Sequence, residues 1–313
     1  MYAYIVHRII ATIPIMGIVA VFVFLLLHMS PGDPAVIIAG DFATTEQIEA
    51  IRRQLGLEEP LHVQFLTWLT NLLQGDMGRS IYSGLPVTEL IGQRLEPTVM
   101  LTLVTMLIAV PFAIPMGVVA AWKVGTWVDR LVMTFAVLGF SLPVFVLGYI
   151  LIYAGSMKLG WFPVQGYTRI GDSFRGFLLH ITLPALTLGV VYMALIARMT
   201  RATMLEVLNE DYVRTAYAKG VATHKVLWKH ALKNAMVPIV TTIGLGVALL
   251  IGGVVVTESV FAIPGLGRLT VDAVLRTDYP VIQGVILVFS FAYVLLNLLV
   301  DLSYVLFDPR IRY

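Results

Sequence analysis

Apolar residues along this chain fall in long unbroken runs, not in the alternating or three-and-four spacing of half-buried elements. Six stretches stand out, at roughly 9–29, 98–121, 131–153, 178–197, 235–257 and 281–302. Each is near the ~20 residues a helix needs to cross a bilayer. The first follows His7 and Arg8, as the apolar part of a signal peptide would. Its run exceeds the usual ~7–15 residues, and His28-Met29-Ser30-Pro31-Gly32-Asp33 replaces a small-residue cleavage site. It is therefore expected to be a retained helix, with Pro14 and Gly17 tolerated in lipid.

Two connections are long. The first, 30–97, is the least apolar part of the chain. Thr44 to Gly56 predicts a helix with a threonine cap, an acidic start, a basic end and a glycine stop. Val63 to Leu73, with Phe65, Leu66, Trp68, Leu69, Leu72 and Leu73, predicts a second helix lying on a membrane surface. The other connection runs over 198–234. The expected organisation is an all-α polytopic membrane protein with six spans. A terminal helix occupies 1–29, a loop with short helices 30–97, and a five-helix core 98–313, which includes the 198–234 connection. No repeat of 20–50 residues is seen.

Composition narrows the function. Of 313 residues, 58% are hydrophobic and 13% charged, about half the ~25% charge of a soluble domain. A disordered chain and a water-soluble enzyme are excluded. Zero cysteines exclude disulfides and thiolate chemistry. A net charge of +2 is too small to indicate nucleic acid. The placement of basic residues says more. If the N-terminus is cytoplasmic, more than half of the 21 Lys and Arg lie inside, among them Arg198, Arg201, Arg214, Lys219, Lys225, Lys229 and Lys233. Four of the others, Arg52, Arg53, Arg79 and Arg94, sit in the long loop, where charge counts for little. Both termini are expected inside.

The predicted spans carry little chemistry. The second, third and fifth hold no ionisable side chain in their central parts, and His28, His180, Arg198, Glu258 and Asp301 fall at span ends. Ion-coupled carriers usually need such a group near the midplane. No P-loop, zinc-protease or serine-hydrolase motif occurs. The chain is not expected to be an enzyme or to hold a metal or cofactor.

The 198–234 connection is the most informative. Glu206 to Lys219 predicts one helix, with Leu208, Tyr212, Val213, Ala216 and Tyr217 clustered along a side. Gly220 breaks it, and a second helix starts near Lys225, with Lys225, Lys229 and Lys233 on one face. A basic loop against anionic headgroups explains the lysines. The apolar residues before Gly220 are better explained by a docking surface for a protein.

Asp211-Tyr212-Val213-Arg214-Thr215-Ala216-Tyr217-Ala218-Lys219-Gly220 resembles the EAA loop of ABC-importer permeases, in the form used by the dipeptide, oligopeptide and nickel branch. The resemblance covers the whole chain. Ser30-Pro31-Gly32-Asp33-Pro34, Leu55-Gly56-Leu57, Gly75-Asp76-Met77-Gly78-Arg79-Ser80 and Pro86-Val87 are similar to that branch. So are Ser141-Leu142-Pro143-Val144-Phe145, the run Glu258 to Gly267, and Asp308-Pro309-Arg310. Arg214 stands where the general pattern has glutamate and Thr215 where it has the first alanine, while Ala216 and Gly220 match. Any ion pair made by that glutamate would fall to Asp211 or Glu210. Downstream, His230-Ala231-Leu232-Lys233 replaces the general ending, and the proline comes later, at Pro238.

The resemblance implies a permease subunit in a bacterial cytoplasmic membrane, coupled through Asp211, Tyr212, Arg214, Thr215, Ala216, Lys219 and Gly220. It implies a second homologous permease subunit and two cytoplasmic ATPase subunits, which hold ATP and Mg. An extracytoplasmic solute-binding protein completes the set. Peptides are the implied cargo, with nickel as the alternative; an ATP-independent secondary transporter or channel is the rival class. Glu258, Phe261, Pro264, Gly265 and Gly267 are candidates for an outer gate. There Glu258 is either a carboxylate in interfacial water or an acceptor of backbone N–H groups from the Pro264–Gly267 turn. Gly244, Gly246, Gly252 and Gly253 serve either close helix packing or a smooth pore wall.

Overall fold

The computed structural model describes residues 2–29, 34–39, 43–54 and 56–307. The expected landmarks Ser30 to Asp33, Leu55 and Asp308 to Arg310 lie outside the described residues. In chain order the helices are α1 (Tyr2–Met29), α2 (Pro34–Ala39), α3 (Thr45–Gln54), α4 (Leu61–Leu73) and α5 (Val87–Trp122). Then come α6 (Trp127–Ser141), α7 (Val144–Leu151), α8 (Phe174–Leu208), α9 (Asp211–Ala218) and α10 (Thr223–Lys225). The last three are α11 (Leu232–Val260), α12 (Leu266–Leu275) and α13 (Tyr279–Phe307). Wider π-helical turns continue α7 over Ile152–Lys158 and join α10 to α11 over Val226–Ala231.

Among the described residues, four helices are long and apolar enough to cross a membrane, or five if the bent α6–α7 pair forms one span. The expected first span lies in α1, whose described side chains, Ile10–Leu26, form a shorter apolar stretch. Several hydroxyls inside these helices turn back on the carbonyl one turn earlier, as Thr187 does on Leu183 and Thr257 on Gly253, whereas the buried Thr105 and Thr200 hydroxyls do not. The back-bonding hydroxyls are thereby satisfied where no water reaches.

Two expectations need correction. The stretch 131–153 is not one straight helix: α6 and α7 meet at a 103° bend. Pro143 has no N–H to continue the ladder, and its ring pushes Leu142 into an extended conformation (φ −78°, ψ 127°). Nor is 206–219 one helix. α8 runs on to Leu208, and Glu210 is extended (φ −70°, ψ 146°) before α9 begins. Asp211 opens α9, where a negative charge suits the positive helix end.

The chain folds as two compact units. One comprises Met1–Val6, Glu96–Arg268 and Tyr293–Tyr313. Its core gathers Leu101, Ile181, Leu188, Ile196, Leu250 and Ile263, all fully buried. A second cluster of Val118, Met204, Leu227, Ala235 and Ile239 packs where α5, α8 and α11 converge. Three of the four α11 glycines face packing partners: Val300 at Gly244, Tyr192 at Gly246 and Leu188 at Gly253. Gly252 faces open space.

The other unit comprises His7–Leu95 and Leu269–Ala292. In it Thr44 and Gln47 cap α3 reciprocally, backbone N–H to side-chain oxygen each way, and Gly56 stops the helix at φ +68°. α4 begins two residues earlier than expected. Its Phe65 and Trp68 rings pack on Phe24 at 5.3 and 5.8 Å, and Leu66 and Leu73 are left exposed. Buried Asp278 accepts hydrogen bonds from the Ser80 hydroxyl (2.5 Å) and the Ile81 N–H (3.1 Å). Gln283 donates to the Val23 carbonyl at 3.0 Å.

Candidate functional site

Two places collect the residues singled out above, both within the first unit. At the 198–234 connection, α9 is a helix of 8 residues closed by Gly220. The Val221 N–H reaches the Ala216 carbonyl at 3.1 Å and the Gly220 N–H reaches Tyr217 at 2.9 Å, with Gly220 at φ +73°. That left-handed closing residue is one a glycine adopts without a Cβ penalty. The chain then turns into α10 and onward to α11.

The predicted apolar side does not stay together. Val213 is fully buried and anchors α9, whereas Tyr212 and Tyr217 remain 40% and 42% exposed. Ala216 is half-buried, while Asp211, Arg214, Thr215, Lys219 and Gly220 are exposed. The Tyr212 hydroxyl accepts from Asn234 Nδ2 at 2.8 Å, tying α9 to the start of α11. Arg214 pairs with Asp211 at 3.6 Å, both well exposed, an interaction worth little in water. Lys225, Lys229 and Lys233 are all exposed, Val226 and Leu227 turn inward, and Trp228 is exposed. The knuckle offers aromatic rings and a lysine stripe on a short, anchored helix.

The second place is the end of α11. Glu258 is fully buried, so the carboxylate does not stand in interfacial water. Thr98 of α5 donates its hydroxyl to Oε1 at 2.5 Å, and the Arg268 N–H donates to Oε2 at 2.9 Å. Leu266, inside the expected turn, instead gives its N–H to the Thr98 hydroxyl oxygen at 2.8 Å. α11 closes with the Ile263 N–H on the Glu258 carbonyl (2.8 Å) and Ala262 at φ +51°. A left-handed residue other than glycine costs about 1–2 kcal/mol, and the buried network around it offsets that cost. Phe261 is buried and its carbonyl accepts the Gly166 N–H at 2.9 Å, while Pro264 is exposed.

Gly265 and Gly267 are required by space. A Cβ on Gly265 would overlap the Glu258 carboxylate, and one on Gly267 would sit 2.6 Å from the Val255 Cα. Beside this network, Glu96 pairs with Arg169 at 3.4 Å and accepts from the Tyr167 hydroxyl at 3.4 Å. Burial first, then the Glu96 charge, pushes the Tyr167 phenol up to about 12, so it stays a donor at neutral pH. Thr98 was missed in the sequence because it lies 160 residues from Glu258 with no local motif. Among the described residues, no three His, Asp or Glu side chains converge on a metal-sized site.

Comparison with known proteins agrees with this architecture. Residues 113–313 match the family model described as binding-protein-dependent transport system inner membrane component, and residues 1–102 match the model for its N-terminal region. A probable peptide ABC transporter permease protein, y4tP, from Sinorhizobium fredii (strain NBRC 101917 / NGR234) is 53% identical over 313 residues, 100% of both chains. The glutathione transport system permease protein GsiC of Escherichia coli (strain K12) is 49% identical, again over 100% of both chains. A solved structure of the MetNI methionine ABC transporter in inward-facing conformations aligns with TM-score 0.59 and 18% identity. That alignment covers 70% of this chain and 96% of that one, a likeness of fold. The chain belongs to the binding-protein-dependent transport system inner membrane component family.

Proposed function

We propose that this membrane component carries di- and oligopeptides inward as one permease subunit of an ATP-driven importer. The observation that carries the reading is the α9–Gly220–α10 knuckle. It holds a rigid, partly aromatic helix at the end of α8, where a partner's motion can be received. Relatives named for peptide and glutathione transport support the cargo. Both termini and the knuckle lie on the cytoplasmic side, a reading supported by the excess of basic residues there. Two ATPase subunits hold ATP and Mg there, and this chain binds no nucleotide of its own. A second homologous permease subunit completes the pathway, and an extracytoplasmic binding protein delivers peptide to the opposite side. The Glu258–Thr98 turn serves as a braced outer gate, and apolar side chains such as Leu107 and Phe112, both exposed, face lipid.

The test is Ala216→Arg. A close docking interface accommodates extra volume poorly, at ~1–3 kcal/mol, and 1.4 kcal/mol is tenfold in binding. The expected result is normal expression with reduced ATPase co-purification and reduced peptide uptake. Thr126→Arg, at an exposed turn, controls for charge. Unchanged uptake with ATPase retained refutes the docking role. Uptake by the purified chain alone, driven by a proton gradient, refutes the ATP-driven reading.

A further inference from the structure

A half-buried ion pair joins α6 to α8. Asp129 stands in the first turn of α6, its side chain 7% exposed, and Arg201 on α8 is 23% exposed. Arg201 Nε donates to Asp129 Oδ1 at 2.5 Å and Nη2 donates to Oδ2 at 2.8 Å. The Gly125 N–H adds a third bond to Oδ2 at 3.0 Å. A two-point guanidinium–carboxylate bond sets direction as well as distance, so it favours one placement of the start of α6 on α8.

The packing along the same seam is equally tight. A Cβ on Gly139 of α6 would lie 3.2 Å from the Ala194 Cβ and 3.3 Å from Val190, both on α8. Where α5 rather than α6 meets α8, Gly117 leaves still less room, with Thr200 at 2.5 Å and the Ala197 carbonyl at 2.6 Å. Arg198 lies over the Phe140 ring at 5.6 Å. Apolar contacts alone would hold these helices together. A charge pair drawn this far out of water gains little stability over them, and its best-attested use is to select one register.

The two ends of this seam give the register a use. Beyond Arg201, α8 runs unbroken to Leu208, and α9 starts at Asp211. At its far end, α6 meets the 103° bend before α7. We infer that Asp129 and Arg201 are positioning residues that make α6 and α8 move as one body, carrying displacement of α9 to the bend at Leu142–Pro143. The inference rests on α9 being the ATPase contact.

The experiment uses the assembled transporter in liposomes, measuring peptide taken up per ATP hydrolysed for wild type, Asp129→Asn and Arg201→Lys. Asp129→Asn keeps the side chain's size and a hydrogen-bonding head but loses the charge, and Arg201→Lys keeps the charge but loses the planar two-point fork. Peptide per ATP is expected to fall at least about fivefold, the lower end of ordinary coupling strengths. A merely structural pair would lower yield and melting temperature and leave that ratio at the wild-type value, which overturns the inference. The chain has no cysteine, so Asp129→Cys with Arg201→Cys can be bridged by a short bifunctional thiol reagent. Bridging is expected to restore the ratio, and a bridged chain that loses transport overturns the inference, because the pair would then have to open in each cycle. Wild-type uptake independent of ATP refutes the importer reading. ATP-driven wild-type uptake with unchanged ratios in both variants refutes this inference alone.

Discussion

One methyl group at Gly265 measures how firmly the buried Glu258 carboxylate is held. The added Cβ of Gly265→Ala overlaps both carboxylate oxygens and the carbon between them, and Glu258 has no solvent to move into. Gly265 does not lie in the left-handed backbone region, so alanine's backbone preference adds nothing and the effect is steric. Either the turn shifts, at about 1–3 kcal/mol for overpacking, or the carboxylate is displaced. Displacement weakens its bonds to Thr98 and the Arg268 N–H, and each bond to a charged group is worth about 1.5–3 kcal/mol. The expected loss is about 3 kcal/mol. Gly252→Ala is the matched control: its Cβ meets nothing within 4 Å, and alanine inside a helix gains about 0.5–1 kcal/mol over glycine. Melting in one detergent should therefore move in opposite directions for the two variants. A Gly265→Ala protein as stable as wild type would refute the steric argument and show that the turn yields freely.

Thr98→Val removes the hydroxyl that donates to Glu258 and accepts from Leu266; it should cost about 2 kcal/mol or more, while Thr98→Ser stays within about 1 kcal/mol of wild type, both read by melting. Gly220→Ala forces a Cβ into a left-handed turn at about 1–2 kcal/mol, so amides at 211–221 should exchange faster with solvent while those of α8 do not. Single cysteines at Glu49 and Asp272 should react with an impermeant reagent on intact cells, and those at Asn209 and Thr126 only after permeabilisation. Labelling at Asn209 from outside would reverse the proposed orientation.

The features readable in the sequence were those decided within one turn of chain. Thr44, Gln47 and Gly56 bound α3 because a cap and a stop act over three or four residues, and Gly220 closes α9 for the same reason. Pro143 carried the bend in plain view, yet the apolar run around it reads as continuous because lipid asks only for apolar side chains. α8 overran its expected end at 197 because the apolar run stops there, at Arg198, while the helix continues to Leu208 with Met204 packed in the core. The buried state of Glu258 was not legible. It depends on Thr98, brought alongside by packing rather than by any nearby residue. Asp129 and Arg201 lie 72 residues apart, and no residue near either one signals the other.

The second unit is assembled from an early and a late segment of the chain, and this bears on its birth at the ribosome. Ser80 must wait for Asp278, 198 residues further on, and the Val23 carbonyl for Gln283, 260 residues on. At roughly 5–20 residues per second of synthesis, the Ser80 delay is about 10–40 s. Throughout that interval the amino-terminal helices are already emerging without the segment that completes their core. A chain truncated before Asp278 never receives it. Nascent chains stalled between Ser80 and Asp278 should thus be the ones a membrane-bound quality-control protease cuts within residues 7–95.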